Sequence, residues 1–123
     1  MSITAALQII VAIALLNVWL LRYGKDTSYR GGNAKNLKDE FAAYGLPTWA
    51  YYLVGTLKIS SALALIAGLW ISSVGFYASI LVALLMLGAL GMHFKIKDPL
   101  KKSVPALLML AMSLAIALTS SMA

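Results

Sequence analysis

The sequence predicts an all-α membrane protein: a four-transmembrane-helix bundle with a short amphipathic interfacial helix between helices 1 and 2. Three observations predict it. Hydrophobic residues make up 62% of the chain and charged residues 11%, against about 45–50% and about 25% in soluble domains. A water-soluble fold of 123 residues has no means of enclosing that much apolar surface, and the mean hydropathy of +0.89 agrees. The apolar residues fall into four runs, each near the ~20 residues that carry a helix across a ~30 Å hydrocarbon core. Finally, nine of the ten Lys and Arg residues lie between runs one and two or between runs three and four. The length suits a single domain, residues 1–123.

The expected spans are residues 3–21, 49–71, 74–92 and 104–123. Helix is the expected form because none of the runs alternates as a barrel strand does. The first run has no basic residue ahead of it and is followed by Arg22 and Lys25, so it reads as a retained span and not a cleaved signal. Next, Tyr29-Arg30-Gly31-Gly32-Asn33 is turn chemistry, with Asn33 as an N-cap. Residues 34–44 then place Leu37, Phe41 and Tyr44 on one helical face, with Lys35, Lys38 and Asp39 elsewhere. Gly45-Leu46-Pro47 stops that helix. Its apolar face is expected to sink into the membrane surface. The turn Trp70-Ile71-Ser72-Ser73 carries no charge. In the last loop, Asp98-Pro99 reads as an N-cap followed by proline at the first helical position.

The charge bias predicts orientation. By the positive-inside rule both charged loops are cytoplasmic and both termini lie outside, with a bacterial inner membrane as the expected location. The net charge of +6 is what basic loops against anionic lipid require. No recognition motif accompanies it, so nucleic acid is not an expected partner. The absence of cysteine excludes disulfides and thiolate metal sites. Small residues mark close helix contacts. They occur at Gly75, Ser79 and Ala83, at Gly88 and Gly91, at Ala64 and Gly68, and at Ala111 and Ala115. Such faces suit the bundle itself, a homo-oligomer or a membrane-protein partner. Met86, Met92, Met109 and Met112 read as flexible core filling.

Lys58 is the residue most in need of explanation. It lies nine residues inside Trp49, ~13.5 Å along a helix, close to the bilayer centre. A lysine there costs ~2.5–3.5 kcal/mol on insertion scales. Its helical neighbours include Gly55, Ser61 and, a turn further, Tyr51, a small and partly polar face. No acidic residue lies within any span, so the compensating group is Asp39 or Glu40 from the loop helix, a ligand carbonyl or anionic head, or carbonyls and water holding a structural lysine. His93 ends the third span and is the only histidine. Alone it makes a poor metal site, and no metal is expected. It suits proton transfer or donation to a quinone oxygen. Asn17 lies at a similar depth and can bond across helices.

At these residues the chain resembles the DoxX-like family of four-helix membrane proteins, over nearly its whole length. Phe41-Ala42-Ala43-Tyr44-Gly45-Leu46-Pro47 is similar to the family's approach to its second helix. Gly55-Thr56-Leu57-Lys58, continuing to Ala64-Leu65-Ile66-Ala67-Gly68, is similar to its glycine-plus-charge core. His93-Phe94-Lys95-Ile96-Lys97-Asp98-Pro99-Leu100-Lys101 resembles its histidine and Asp-Pro loop, including that of the NACHO-type receptor assembly chaperones. Many members of the family carry a carboxylate where this chain has Lys58. The resemblance implies the fold and leaves two functional expectations open. One is a bundle that binds a lipophilic or anionic molecule, such as a quinone, near Lys58, His93, Asn17, Tyr51 and Ser61, as an accessory subunit of a membrane redox system. The other is an assembly factor or interaction subunit without catalysis. Asp39, Glu40, Asp98 and Lys101 are the charge partners or loop-motif residues in either case. No phosphate-cradling loop or hydrolase nucleophile motif is present, which leaves an autonomous enzyme little to work with.

Overall fold

The structure is a computed structural model that describes residues 2–21, 24 and 31–121. Arg22, Lys25 and Arg30, the Tyr29-Arg30 half of the expected turn, and the last two positions of the fourth expected span lie outside the described residues. Helix α1 (Ile3–Leu16) continues into a wide π-helical turn, Asn17–Leu21. Then follow α2 (Leu37–Ala43), α3 (Thr48–Ala67), α4 (Ser72–Lys95) and α5 (Leu100–Ser121). The first helix with its turn, α3, α4 and α5 are each long and apolar enough to cross a bilayer. Large side chains such as Ile13, Leu63, Leu84 and Leu118 point outward, each more than half exposed. In water that surface is untenable; against lipid tails it costs nothing. The chain is an integral membrane protein.

The span limits differ from the sequence expectation in instructive ways. The second span ends at Ala67, because residues 68–71 form the turn into α4. The third runs on through His93 to Lys95, and the fourth begins at Leu100, not 104. Pro105 is carried inside α5, where its missing N–H removes one backbone bond near the helix start.

The four spans close a ring in which α1 and α4 each pack against both α3 and α5. Val11, Leu15, Leu65, Val82 and Ile116 fill its centre, none more than 3% exposed. Ser61, Ser79 and Ser113 are buried too, and each hydroxyl donates to a carbonyl of its own helix, Leu57, Phe76 and Met109, at 2.6–2.7 Å. With no water in a bilayer core, such back-bonding lets serine act as a small packing residue. Of the small residues singled out in the sequence, Gly68, Gly75, Ser79 and Ala83 are inside. Gly88, Gly91 and Ala111 face outward. The buried stripe of α5 is instead Ala106, Met109, Ser113, Ile116 and Ala117.

The α3–α4 turn depends on backbone contact. A Cβ on Gly68 would collide with Gly75 Cα and lie 2.7 Å from Gln8 Nε2. Gln8, 4% exposed, inserts from α1 and donates to the Leu65 carbonyl at 3.0 Å.

The cap of helix α2 falls three residues later than the expected Asn33. Gly31 to Ala34 is consumed by a turn closed by the Ala34 N–H on the Gly31 carbonyl, 3.2 Å. The cap is therefore Asn36, whose Oδ1 accepts from the Asp39 N–H at 2.8 Å. Its Leu37–Phe41 face is turned onto the bundle end, against Trp19 and Ala50, and not into lipid. Ring contacts decide this: Phe41 meets Trp19 edge-on at 5.9 Å and Tyr51 at 5.7 Å. The Gly68 contact generates a prediction. Gly68→Ala should lower stability by about 1–3 kcal/mol, as overpacking does, read as an earlier thermal unfolding transition in detergent. An unchanged transition would show that the α3–α4 contact is looser than described.

Candidate functional site

A cavity of about 730 Å³ opens between the helices towards the loop end of the bundle. Its apolar walls come from Leu15 and Val18 of the first helix, Met86 and Ala89 of α4, and Met109 and Met112 of α5. Its polar groups are Asn17, Glu40, Lys58, His93 and Lys102, supplied by every helix. Leu108 also lines the cavity and is 59% exposed, so the space reaches the lipid-facing surface beside α5. At the opposite end α1 and α5 are joined by the Thr4–Thr119 hydroxyl bond at 2.6 Å.

Lys58 is held by a stack built on a glycine. At Gly55 a Cβ would lie 2.6 Å from the Trp19 ring, so only glycine lets the indole rest on α3. The Lys58 ammonium sits 5.6 Å from that ring's centroid, within cation–π range. Trp19 and Asn17 both belong to the π-helical turn, a local widening often found at functional sites. Glu40 faces the same cavity and its charge acts on Lys58 through space. Among the described residues, none forms a hydrogen bond or ion pair with the Lys58 Nζ.

The loop end is organised by the way α4 terminates. Lys97 takes a left-handed φ of 57°. The Asp98 N–H then donates to the His93 carbonyl at 2.9 Å, and the Lys97 N–H to Phe94 at 3.1 Å. That Schellman pattern folds Asp98 back over His93, with Oδ2 2.7 Å from the ring Nδ1. The other oxygen accepts from the Gly32 N–H at 3.0 Å and lies 3.9 Å from Lys102 Nζ. Lys102 itself donates to the Gly32 carbonyl. The expected role of Asp98 as a helix cap is thereby corrected. Its carboxylate joins the two loops, being engaged by His93 and Gly32 in place of the first turn of α5. Enclosure pushes the Asp98 carboxyl up, but the His93 hydrogen bond, the Gly32 N–H and the Lys102 charge together hold it below the usual carboxylate range.

Tyr44 links this loop to the cavity. It is 5% exposed, and its hydroxyl donates to Glu40 Oε1 at 2.6 Å and stands 3.4 Å from His93 Nε2. Gly45, at φ 80°, ends α2 in a second Schellman turn, and Lys95 Nζ donates to the Tyr44 carbonyl at 3.0 Å. Glu40 and His93 are 8% and 6% exposed, so the array is closed to bulk water.

The structure thus brings Lys58, His93, Asn17 and Glu40 to one cavity. Tyr51 and Ser61 are not in its wall. Tyr51 stacks in the aromatic cluster 5.4 Å from Trp19, and Ser61 spends its hydroxyl on α3. Asp39 is exposed and tied to Asn36, while Lys101 is on the surface. Trp19, Tyr44 and Lys102 are site residues beyond those the sequence singled out. The Glu40–Tyr44 pair had a signal, since residues four apart on a helix share a face. Trp19 had none, because its seat is a glycine far along the chain.

Four spans, a covering helix and a polar-ended internal cavity define a small helical-bundle membrane protein with a candidate ligand chamber. Residues 29–116 match the model of the DoxX-like family, and the chain belongs to that family. No curated protein and no solved structure matches it. Two predictions concern the loop end. Lys97→Gly removes a left-handed backbone cost and should stabilise the protein by about 1 kcal/mol, read as a later unfolding midpoint. Because the folded pKa of Asp98 lies below the unfolded value of about 3.9, its contribution is complete above that pH and lost as pH falls through the folded value. Acid unfolding followed by circular dichroism should show this loss, and Asp98→Asn should flatten it.

Proposed function

We propose that the cavity binds a lipophilic molecule carrying an anionic or carbonyl head, of which a quinone is one, and that the protein works as an accessory subunit of a membrane redox system. The apolar part of the ligand lies between α1, α4 and α5, and its head is met by Lys58. One observation carries this reading. An ammonium deep in an apolar bundle faces an open cavity and rests on an indole, with no hydrogen bond or ion pair from the described residues. Such a cation calls for a partner, and a ligand oxygen of negative or partly negative charge answers it. Asn17 and His93 on the same wall add hydrogen-bonding groups that would orient the head. In this reading the loop end faces the cytoplasm, following the excess of Lys and Arg there.

A second reading, an interaction subunit without catalysis, is favoured by Gly88 and Gly91 on the outward face of α4, where a Cβ would meet nothing within 4 Å. Bare helix backbone of this kind suits close approach by another membrane helix.

Native mass spectrometry from mild detergent separates the two. The first reading expects a bound lipophile whose occupancy falls at least about tenfold in Lys58→Leu, equivalent to ~1.4 kcal/mol. That variant also removes an insertion cost of ~2.5–3.5 kcal/mol, so the loss would not reflect unfolding. Unchanged occupancy would reject the site at Lys58. An empty cavity with a stoichiometric second polypeptide would favour the interaction subunit.

A further inference from the structure

We propose that the seam between α1 and α5 at the loop end is a lateral doorway, through which the hydrocarbon chain of an amphiphile in the adjacent leaflet enters the cavity. The ligand is then a molecule of the bilayer and not a solute of the water. The doorway stands on the packing of the helices; the meeting of the head with Lys58 rests on the reading above.

Two helix faces that touch at one end of the bundle have the cavity between them at the other. Thr4 of α1 and Thr119 of α5 meet through their hydroxyls at 2.6 Å. Leu15 lies eleven residues after Thr4, and Leu108 eleven residues before Thr119. Eleven residues make close to three turns, so both stay on those faces, ~16.5 Å along the antiparallel pair at about 1.5 Å per residue. At that level both side chains line the cavity. Leu108 is also largely exposed, so the space continues outward to where lipid tails lie. Ala14 and Met112, both half-buried, stand in the same wall. A methyl group on one side and an unbranched thioether on the other suit the passage of a methylene chain.

The separation follows from what each helix leans on. After Leu16 the first helix widens into its π-helical turn, and Trp19 in that turn rests on α3, where Gly55 makes room for the indole. The loop end of the first helix is thereby committed to α3. Helix α5 packs chiefly on α4. The two are drawn to different neighbours, and the seam between them is left wide.

The order of polarity inside matches the order in a leaflet. Asn17, Glu40, His93 and Lys102 belong to the loop-end turns of their helices. Lys58 starts midway along α3, but its side chain tilts towards the helix start, and its ammonium lies 5.6 Å from the Trp19 ring. Leu15, Met86, Met109 and Met112 line the deeper part. An amphiphile of the loop-side leaflet already has its head at the loop end and its tail towards the middle, so it enters sideways without turning over. A soluble anion has no use for the thioether walls or for an opening onto lipid.

Photolabelling tests this in phosphatidylcholine vesicles holding the full-length protein. A palmitate carrying a diazirine on its chain should label Met86, Met109 and Met112, located by peptide mass spectrometry. A diazirine-bearing pentanoate, the same carboxylate on a chain too short to reside in the bilayer, should not. The chain contains no cysteine, so Leu108→Cys supplies a single thiol for N-benzylmaleimide, added in detergent after folding and before return to vesicles. That adduct should cut wall labelling by about tenfold. The same adduct at Leu84→Cys, on the outward face of α4, should leave it unchanged. Palmitate labelling confined to outward residues such as Leu84 and Leu118 overturns the doorway, as does wall labelling by the pentanoate instead. Wall labelling untouched by the Leu108 adduct overturns it too, while leaving a ligand at Lys58 in place. Lys58→Leu separates the two readings from the other side. Wall labelling that persists in that variant and still falls with the Leu108 adduct keeps the doorway and rejects the cation as partner of the head.

Discussion

A charge enclosed by an apolar bundle has no water to turn to, so each one must be met by another group of the same molecule or by something bound to it. That constraint organises the loop end of this protein. Glu40, Lys58, His93, Asp98 and Lys102 come from five different segments and converge within or beside one cavity. Among the described residues, every fully buried side-chain nitrogen or oxygen finds a partner. In the opposite half, Gln8 on the Leu65 carbonyl shows the same rule applied to an uncharged amide. Packing there is close enough to bring Gly68 and Gly75 into backbone contact.

The geometry that makes convergence possible lies in how helices end. Both α2 and α4 finish in Schellman turns, at Gly45 and Lys97. The first directs the chain into α3 while leaving Tyr44 under the bundle end. The second returns Asp98 over His93. Neither turn alone makes a site, but Tyr44 and His93 meet because both chains reverse at the same level. A left-handed lysine where glycine is easier indicates that tertiary contacts, chiefly Asp98 with Gly32 and His93, hold that turn in place.

Apolar walls and a polar end give the cavity the character of a chamber for an amphiphile. The long thioethers of Met86, Met109 and Met112 suit a flexible boundary for an apolar tail. Membership of the DoxX-like family is a statement about the fold and the matched residues 29–116. Chemistry belongs to the side chains that this chain sets around Lys58.

Much was legible from the order of residues alone. The four spans, the all-helical class and the stop at Gly45-Leu46-Pro47 were readable because span length, hydropathy and turn chemistry are local properties. The place of Lys58 midway along its span was readable too, since the helical rise is constant. Tertiary structure decided the rest, because it depends on residues distant in the chain. The face of α2 was turned onto the bundle by Trp19 and Tyr51, rings no local pattern connects to it. Tyr51 and Ser61 share a helix with Lys58, yet rotation of α3 against its neighbours carried them away from the cavity. Asp98 looked like a cap because Asp-Pro before a helix is a local signal. The carboxylate went to His93 and Gly32 because desolvation near the bundle makes a paired charge worth more than a cap.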